Sequence, residues 1–461
     1  MKFVRVVHGR WGKIFFWCLL LFATAAGQKL AFGTTYYVAN PAKGGNDNNN
    51  GTISAPFATV NKGAALLKPG DILYIRAGTY YQTVYAPASG TSKSPITISG
   101  YQNEAVVIDG VYTNPVSSWG SLFSVSGTYV QVKNITVKRS NWMGLTLKGS
   151  YDQAMAVNSV SNMENGILLT QSADHGLVDG CTVFYNCKSN EKFQKLRGNN
   201  ASGLSAARGA ANSTLRNNTV WNNWGEGVST YETTYTVMQG NTVYDNQLNV
   251  YLSDVKFATL MGNLIYSTPN NPCANTSQIG IGIGDETYRP ASSDNRIVNN
   301  LLLGNSKNIY YWPGNKGGGL VNVVVAYNTF VNSSVESNLK LGTGKHSNTV
   351  IANNIFVQDG SLQEAVVAST SGITFSHNLW STPPVAAVRG EGDVIANPGL
   401  VKAGKRAPGK LTPKWFSITG SSPAVGKAGS LGKVTSDFFG NQRGNRPDVG
   451  ALQHRAVGTQ P

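Results

Sequence analysis

The feature of the sequence that most limits its fold is a phrase that occurs twice within residues 215–254. The first copy, Asn218-Thr-Val-Trp-Asn-Asn, leads to Gly227-Val-Ser-Thr-Tyr. The second copy begins 23 residues later, at Asn241, and reads Asn-Thr-Val-Tyr-Asp-Asn. Each copy holds short alternating strands separated by Asn and Gly, with no helical period. A repeat of this length and content is typical of a stacked solenoid rather than of a globular sheet.

The turn that opens each copy recurs well beyond these two units. Most intervals between successive turns are 22 to 28 residues, which is about the length that three strands and three turns need at ~3.3 Å per residue. Asn and Gly tolerate the left-handed backbone of a tight corner, so we interpret the recurring positions as corners. The aligned positions are Asn134, Asn158, Gly180, Asn218, Asn241, Asn263, Asn300, Asn328, Asn354 and Asn378. The pattern predicts an all-β fold, a right-handed parallel β-helix of roughly ten or more coils, and not a leucine-rich repeat, whose Leu spacing is absent.

Composition and chain ends complete this interpretation. With 52 Gly, 41% hydrophobic and 13% charged residues, the chain can bury a long core in a solenoid, whose length is not limited as that of a globular domain is.

Residues 1–27 combine four basic residues, an apolar run and small residues. This combination predicts a cleaved signal peptide and a secreted or cell-surface protein with no stable membrane span. Loss of these four charges would leave +11 of the net +15, a balance that favours a polyanionic partner. We expect the partner to be a polysaccharide, and we expect no nucleic-acid partner.

The segment after the signal peptide carries a family resemblance. A strand at Tyr36–Ala39, a polar loop, the phrase Pro-Phe-Ala-Thr-Val (Pro56–Val60) and the phrase Pro-Gly-Asp-Ile-Leu-Tyr-Ile-Arg-Ala-Gly-Thr-Tyr (Pro69–Tyr80) follow one another. This order resembles the opening of secreted bacterial proteins of the pectate-lyase-like β-helix superfamily. The resemblance implies a short capping helix over Asn61–Leu67, which would cover the open end of the first coil.

The C-terminal part resembles the same proteins, through Ile418-Thr-Gly-Ser-Ser-Pro-Ala-Val-Gly and the stretch that begins at Asp437. The resemblance implies a terminal cap on the last coil. We therefore divide the chain into a signal peptide (1–27), an N-terminal cap with the first coils (28–122), the β-helix (123–380) and C-terminal coils with a cap (381–461).

One strand of each coil follows the Asn turn, and alternation assigns its side chains to two faces. The inward set is Leu145, Leu147, Ile167, Leu169, Leu204, Val228, Val250, Leu252, Ile281, Ile283, Ile309, Leu339 and Leu341. The outward set includes Thr146, Lys148, Ser205, Ser229, Tyr231, Tyr251, Ser253, Tyr310, Trp312 and Lys340. Because coils stack ~4.8 Å apart, the outward residues form one continuous face. We interpret that face as a carbohydrate groove.

The groove residues suggest two roles, substrate binding and metal binding. Tyr231, Tyr251, Tyr310 and Trp312 offer rings for sugar stacking, and Lys340 offers a cation, so these five are the predicted substrate-binding residues. Asp254, Asp285 and Glu286 are the predicted oxygen ligands of a Ca²⁺ ion. We expect Arg208, Glu226, Tyr231, Tyr251, Asp254, Asp285 and Trp312 to line one cleft, with Asp254 and Asp285 close enough to share the cation.

The resemblance implies a lyase that cleaves a uronate-containing polysaccharide by β-elimination, with Arg208 or Lys148 as the candidate base. Two alternatives stay open. A glycoside hydrolase would use Glu226 with Asp254 or Asp285 as its acid and base. A non-catalytic carbohydrate-binding or surface protein would use the same groove without any reaction. The paired arginine motif and the Gly-His-Gly motif of other superfamily members are absent from the sequence.

Overall fold

The computed structural model describes residues 33–115, 117–196, 201–274, 278–287, 292–314, 318–432 and 434–454. The predicted signal peptide lies outside these ranges, so export stays a prediction. Within them the chain winds through three parallel sheets, of 11, 13 and 13 strands, in which each strand pairs with its counterpart one coil away. This arrangement confirms the predicted parallel β-helix. No helix in the described ranges is long and apolar enough to cross a membrane.

Sheet 1 contains the strands to which the predicted groove residues belong and runs through 11 coils, whereas the strands that directly follow the aligned Asn positions lie in sheet 3. Its strands are Val84–Ala86, Ser121–Val125, Met143–Leu147, Ile167–Leu169, Ser202–Ala207, Glu226–Tyr231, Leu248–Ser253, Ile279–Asp285, Lys307–Pro313, Ser337–Leu341 and Gln363–Val367.

Sheet 2 follows sheet 1 in each coil. Its strands are Thr35–Val38, Ile72–Ile75, Ile96–Gly100, Val130–Lys133, Gln153–Met155, Leu177–Asp179, Thr214–Arg216, Val237–Gln239, Thr259–Met261, Arg296–Val298, Val324–Ala326, Thr349–Ala352 and Ile373–Ser376.

Sheet 3 completes the coil. Its strands are Gly78–Tyr80, Val106–Asp109, Thr136–Lys138, Asn158–Val160, Thr182–Phe184, Thr219–Trp221, Thr242–Tyr244, Leu264–Tyr266, Leu301–Leu303, Thr329–Val331, Ile355–Val357, Leu379–Trp380 and Val394–Ile395.

Helical structure is short. The α-helix Val60–Ala64 begins where the Thr59 side chain accepts a hydrogen bond from the Lys62 amide at 3.2 Å. It buries Val60 and Ala64 against the first coils, as the predicted capping helix should. Four 3₁₀ segments, Pro41–Lys43, Lys188–Phe193, Ala386–Val388 and Pro413–Phe416, are the other helical pieces of the described chain.

Seven of the ten aligned positions are asparagines that form a hydrogen-bonded ladder inside the coil, so the corner interpretation is wrong for these seven. The amide N and Nδ2 of Asn241 both donate to Oδ1 of Asn263, at 2.9 and 3.0 Å, and the Asn241 side chain also donates to the Leu215 carbonyl. The buried ladder residues are Asn218, Asn241, Asn263, Asn300, Asn328, Asn354 and Asn378. The left-handed corner belongs to the residue before each of them, for example Gly240 at φ 65°. Hydrogen bonding in the core, and not corner geometry, accounts for these seven asparagines, whereas Asn134 (φ 52°) and Gly180 (φ 63°) occupy left-handed corners as predicted.

The C-terminal segment sits on the last coil only with its first part, where Val394–Ile395 pairs with Leu379–Trp380 and Val388 is buried in the coil core. The later part, which carries the resemblance, lies mainly on the outer face of sheet 3. Leu411, Trp415 and Phe416 pack against the outer face of sheet 3, where Tyr266 is among their neighbours. Arg406 fixes the segment by donating to the carbonyls of residues 267 and 304, at 2.8 and 3.1 Å. The outer face of sheet 3 is apolar over several coils and needs a cover, which explains this position. Leu411, Trp415 and Phe416 do not cover the outer face of sheet 1.

Candidate functional site

The outer face of sheet 1 is continuous across the coils. The strand pairing places Ser205, Ser229, Tyr251, Gly282 and Tyr310 in one row along the helix axis. The predicted inward residues of the same strands are all nearly fully buried, which confirms the assigned register.

A cavity of about 360 Å³ opens on this face. Its lining residues are Trp119, Met143, Glu164, Asn165, Leu168, Thr170, Ala201, Ser202, Ser205, Ala207, Arg208, Glu226, Ser229, Tyr231, Tyr251 and Glu286. Five of the predicted site residues, Arg208, Glu226, Tyr231, Tyr251 and Glu286, therefore share one cavity. The lining combines charged side chains with hydroxyl, amide and aromatic groups, so the cavity can bind a polar ligand.

The carboxyl of Glu226 is perturbed by its place in the cavity. Burial raises its pKa to about 7, although the hydrogen bond from Ser202 acts to lower it, and the negative charge of Glu286 raises it further. The Ser202 hydroxyl donates to Glu226 Oε2 at 2.6 Å and lies 2.7 Å from the hydroxyl of Ser229. Ser229 donates in turn to Ser205 at 3.0 Å. A carboxyl with a pKa near neutrality can serve as either acid or base.

Arg208 stands at the rim of the cavity, with 69% of its side chain exposed. Its Nη2 donates to the Tyr231 hydroxyl at 3.4 Å, and its Nε lies 3.5 Å from Glu232 Oε2. The Tyr231 hydrogen bond and the nearby Glu232 raise the pKa of Arg208 above its ordinary value. A base would need a lowered pKa, so this environment suits a fixed cation instead.

Tyr251 and Trp312 form an aromatic stack beside the cavity. Their ring centroids are 5.2 Å apart and their planes differ by 14°. The two residues lie on coils separated by Ile279–Asp285, whose outward positions are Gly282 and Gly284. A Cβ at Gly282 would come within 2.9 Å of the Trp312 ring, so the missing side chains leave the space in which the rings meet. Trp312 Nε1 donates to Glu286 Oε1 at 3.1 Å, which connects the stack to the cavity wall.

The predicted acidic ligands do not come together. Asp285 is 1% exposed, and its oxygens accept from the Ser292 amide, the Tyr311 hydroxyl and the Gly319 amide at 2.6 to 2.8 Å. Asp254 accepts from two backbone amides and from the Ser253 hydroxyl. No group of three or more His, Cys, Asp or Glu side chains in the described ranges could hold a metal ion.

These contacts correct the expectation that Asp254 and Asp285 share a cation in the cleft, because Asp285 turns into the coil. Asp285 lies two residues after Ile283 and four after Ile281 on the same strand, so its side chain faces the same inward side as these two buried residues. The Asp254, Asp285 and Glu286 set does not fit a calcium site. A role for calcium stays a prediction from the sequence.

Three other predicted residues lie outside the cavity lining. Lys148 comes directly after the strand Met143–Leu147. The strand register places it beside the lining residue Thr170, one coil away from that residue. Tyr310 and Lys340 lie further along sheet 1, where the Lys340 ammonium is 5.0 Å from the centre of the Tyr310 ring.

Sequence reasoning missed the residues that close the cavity from the other side. Glu164 is a buried lining residue, and Trp119, 59% exposed, stands at the far end with its ring 5.5 Å from that of Trp142. Neither occupies a repeating position, so the coil pattern gave no signal for them. Ser202 could have been found, because it lies two residues before the inward Leu204, as Glu226 lies two before Val228.

Comparison with known proteins identifies the kind of chain that this one resembles. Residues 36–263 match the family model described as "Pel9A-like, right handed beta helix region". Pectate lyase L of Dickeya chrysanthemi is 25% identical over 374 residues, or 76% of each chain. Pectate lyase L of Dickeya dadantii (strain 3937) is 23% identical and covers 91% of this chain and 90% of its own.

The crystal structure of pectate lyase Pel9A superimposes with a TM-score of 0.61 over 93% of this chain and 98% of its own, at 19% sequence identity. At that identity the likeness shows the fold alone. It agrees with the predicted right-handed winding.

Proposed function

We propose, from the premise that this chain is a pectate-lyase-like right-handed β-helix protein, that it is a lyase that cleaves a uronate-containing polysaccharide by β-elimination. That it is polysaccharide-active follows from its lyase relatives. The finer assignment rests on one observation: Glu226, with a pKa of about 7, and the cation Arg208 line the same cavity.

The first role in this reaction belongs to Arg208. A uronate carboxylate placed against the guanidinium would be neutralised, which makes the adjacent C–H more acidic and stabilises the enolate-like charge that develops. The hydrogen bond to Tyr231 and the contact with Glu232 hold the guanidinium at the rim, where an incoming carboxylate can reach it.

The second role belongs to Glu226. Its ionised form accepts the proton from the carbon beside the uronate carboxylate, and the electron pair of that C–H bond forms the new C=C bond. The bond from the next carbon to the glycosidic oxygen breaks, and Glu226 returns the proton to the leaving oxygen. The Ser202 hydroxyl stabilises the ionised form needed for the first step.

A glycoside hydrolase is the second candidate, and the neighbouring carboxylates favour it. Glu286 lines the same cavity, and its charge helps to raise the pKa of Glu226. In a hydrolase the protonated Glu226 would be the general acid and Glu286 the second carboxylate.

The deciding experiment incubates the protein with a panel of anionic and neutral polysaccharides, with added calcium and with a chelator. A lyase yields products that absorb in the ultraviolet because they contain the new C=C bond, whereas a hydrolase yields reducing ends without that absorbance. For the lyase, kcat/KM should rise as the pH passes about 7, because Glu226 must be ionised. For the hydrolase it should fall over the same interval. Binding without any product would support the non-catalytic alternative.

The variant Arg208→Gln tests the cation. We expect kcat/KM on the anionic substrate to fall about 10²-fold or more, as for loss of other groups that stabilise developing charge. Arg216→Gln is the matched control, because Arg216 pairs with Asp179 on sheet 2, away from the cavity. Equal activity of the two variants would contradict the role of Arg208.

A further inference from the structure

Two of the connections between sheet 3 and sheet 1 are long and each contains one cysteine. Residues 185–201 contain Cys187, and residues 267–278 contain Cys273. The two coils between them use short connections, residues 222–225 and 245–247. The long connections therefore belong to coils that are three spacings apart, which amounts to ~14 Å along the helix axis. The repeat alone would keep the two cysteines apart.

The two cysteines nevertheless lie in one small buried cluster. Its members are Cys187, Ala201, Trp224 and Cys273, and both cysteines are 0% exposed. The sulfur of Cys187 points toward the next coil, because a Cβ on Gly225 would lie 3.2 Å from it. That is the direction in which the coil of Cys273 lies. The two long connections thus meet over the short ones between them.

The environment of the cluster keeps both thiols protonated. Burial raises the pKa of the Cys187 thiol well above its usual range, and the charges of Glu226 and Glu164 and the thiol of Cys273 raise it further. Burial also raises the pKa of Cys273, and the charge of Glu191, a residue of the first long connection, adds to the rise. Since the thiolate is the reactive form, both groups are unreactive once the protein has folded.

A third described cysteine, Cys181, is close to Cys187 in sequence but faces a different part of the molecule. It packs in the main core of the coil, where its thiol donates to the Ala154 carbonyl at 3.5 Å. Cys187 and Cys273 belong to the separate cluster. Cys18, the remaining cysteine of the sequence, lies in the predicted signal peptide, outside the described residues. The packing therefore favours Cys273 over Cys181 as the partner of Cys187.

We propose that Cys187 and Cys273 form a disulfide bond, which ties the two long connections together beneath the wall of the cavity. The cluster reaches that wall directly, because Ala201 lines the cavity and its carbonyl accepts a hydrogen bond from the Glu226 amide at 3.1 Å. A cross-link between distant parts of the chain stabilises the folded state mainly by restricting the unfolded one. The proposal does not depend on the reaction that the cavity catalyses.

Formation of the bond needs an oxidant, which a disulfide compound or a disulfide-exchange protein supplies. The thiolate of one cysteine attacks the disulfide of the oxidant and releases the first thiol. The thiolate of the other cysteine then displaces the second thiol, so that two electrons pass to the oxidant and the two thiol protons end on the released thiols. Because Cys187 and Cys273 are buried in the folded protein, the exchange takes place before the long connections close over them.

The test compares the protein refolded with a mixture of oxidised and reduced glutathione and the protein refolded and kept in a reducing agent. We expect the first preparation to be lighter by two hydrogen atoms, and its unreduced digest to contain two peptides joined through Cys187 and Cys273. Its midpoint of thermal unfolding should be several degrees higher than that of the reduced preparation. Free thiols at both positions after refolding with glutathione, or a bond that involves Cys181, would overturn the proposal.

The variants Cys187→Ala and Cys273→Ala separate the bond from simple packing. Each variant, and the double variant, should lose the difference in unfolding midpoint between the two preparations, because each removes the same bond. Cys181→Ala is the matched control: it truncates a buried cysteine outside the cluster and should keep the difference. A difference that persists in Cys273→Ala, or that disappears in Cys181→Ala, would contradict the pairing. The comparison of the two preparations of the parent protein decides the question even if a variant does not fold.

Discussion

The Ser202 hydroxyl donates a 2.6 Å hydrogen bond to Glu226, its partner in register on the adjacent coil. Two opposing influences meet at this contact. Burial raises the pKa of Glu226 to about 7, and the hydrogen bond limits that rise because it favours the ionised carboxylate. Adjacent coils thus supply the proposed acid–base group and the residue that tunes its pKa.

Ser202→Ala should move the pH dependence of activity. Without the hydroxyl the ionised form of Glu226 loses a donor, so its pKa should rise from about 7. A hydrogen bond worth ~1 kcal/mol corresponds to a little under one pH unit. The midpoint of the kcat/KM profile should shift to higher pH by about that amount. Ser124→Ala, on sheet 1 outside the cavity lining, is the control, and an unmoved midpoint in Ser202→Ala would contradict the coupling.

Gly282→Ala should disturb the aromatic stack. The new Cβ would lie 2.9 Å from two atoms of the Trp312 ring and 3.4 Å from the Tyr251 ring, so the rings must separate. We expect KM for the polysaccharide to rise several-fold and the free energy of unfolding to fall by about 1–3 kcal/mol. Gly360→Ala is matched, because nothing lies within 4 Å of its Cβ position. Intact KM in Gly282→Ala would exclude the stack from substrate binding.

Asn263→Ala should destabilise the coil interior. Asn263 accepts from the backbone and side-chain nitrogens of Asn241, and its own Nδ2 donates to the Met238 carbonyl and to Asn300. Truncation leaves several of these buried groups without a partner, at a cost of about 3 kcal/mol or more. Thermal unfolding measures the loss. Asn158→Ala, at an exposed position on sheet 3, should be nearly neutral, and similar losses in both variants would refute the role of the ladder.

The sequence predicted the coil and the inward residues because both repeat. Side chains alternate between the two faces of a strand, and equivalent positions recur once in every coil. Val250 and Ile281 therefore belong to the same inward row, and both are buried. The error at Asp285 arose because the acidic residues were grouped by their places on adjacent coils, without assigning each one to a face of its strand. Asp285 lies two residues after Ile283 on the same strand, and this spacing places its side chain inside the coil.

The cavity could not be predicted in full, because its depth comes from a break in alternation. Gly227 and Val228 both turn inward: a Cβ at Gly227 would meet the Asn246 side chain, and Val228 is 1% exposed. Glu226 therefore points outward where strict alternation would place it inside. Glu164 and Trp119 reach the cavity from segments outside sheet 1, which no repeat position specifies.

Glu226→Gln should separate the stability of the protein from its activity. The pKa of Glu226 rises from an ordinary 4.5 to about 7 on folding. A raised pKa means that the folded state binds the proton more tightly than the unfolded state. Its contribution to stability is therefore fully present below about pH 4.5 and is lost as the pH rises through about 7.

Glutamine keeps the acceptor for Ser202 and never ionises, so the variant should match the parent at pH 4 and unfold a few degrees higher at pH 8. It should have no measurable turnover at either pH. Glu391→Gln, at an exposed position, should show no such pH-dependent gain. Thermal unfolding at pH 4, 6 and 8 measures the difference. A Glu226→Gln variant that is inactive but less stable than the parent at pH 8 would show that the carboxylate supports the fold, and its loss of activity would then say nothing about proton transfer.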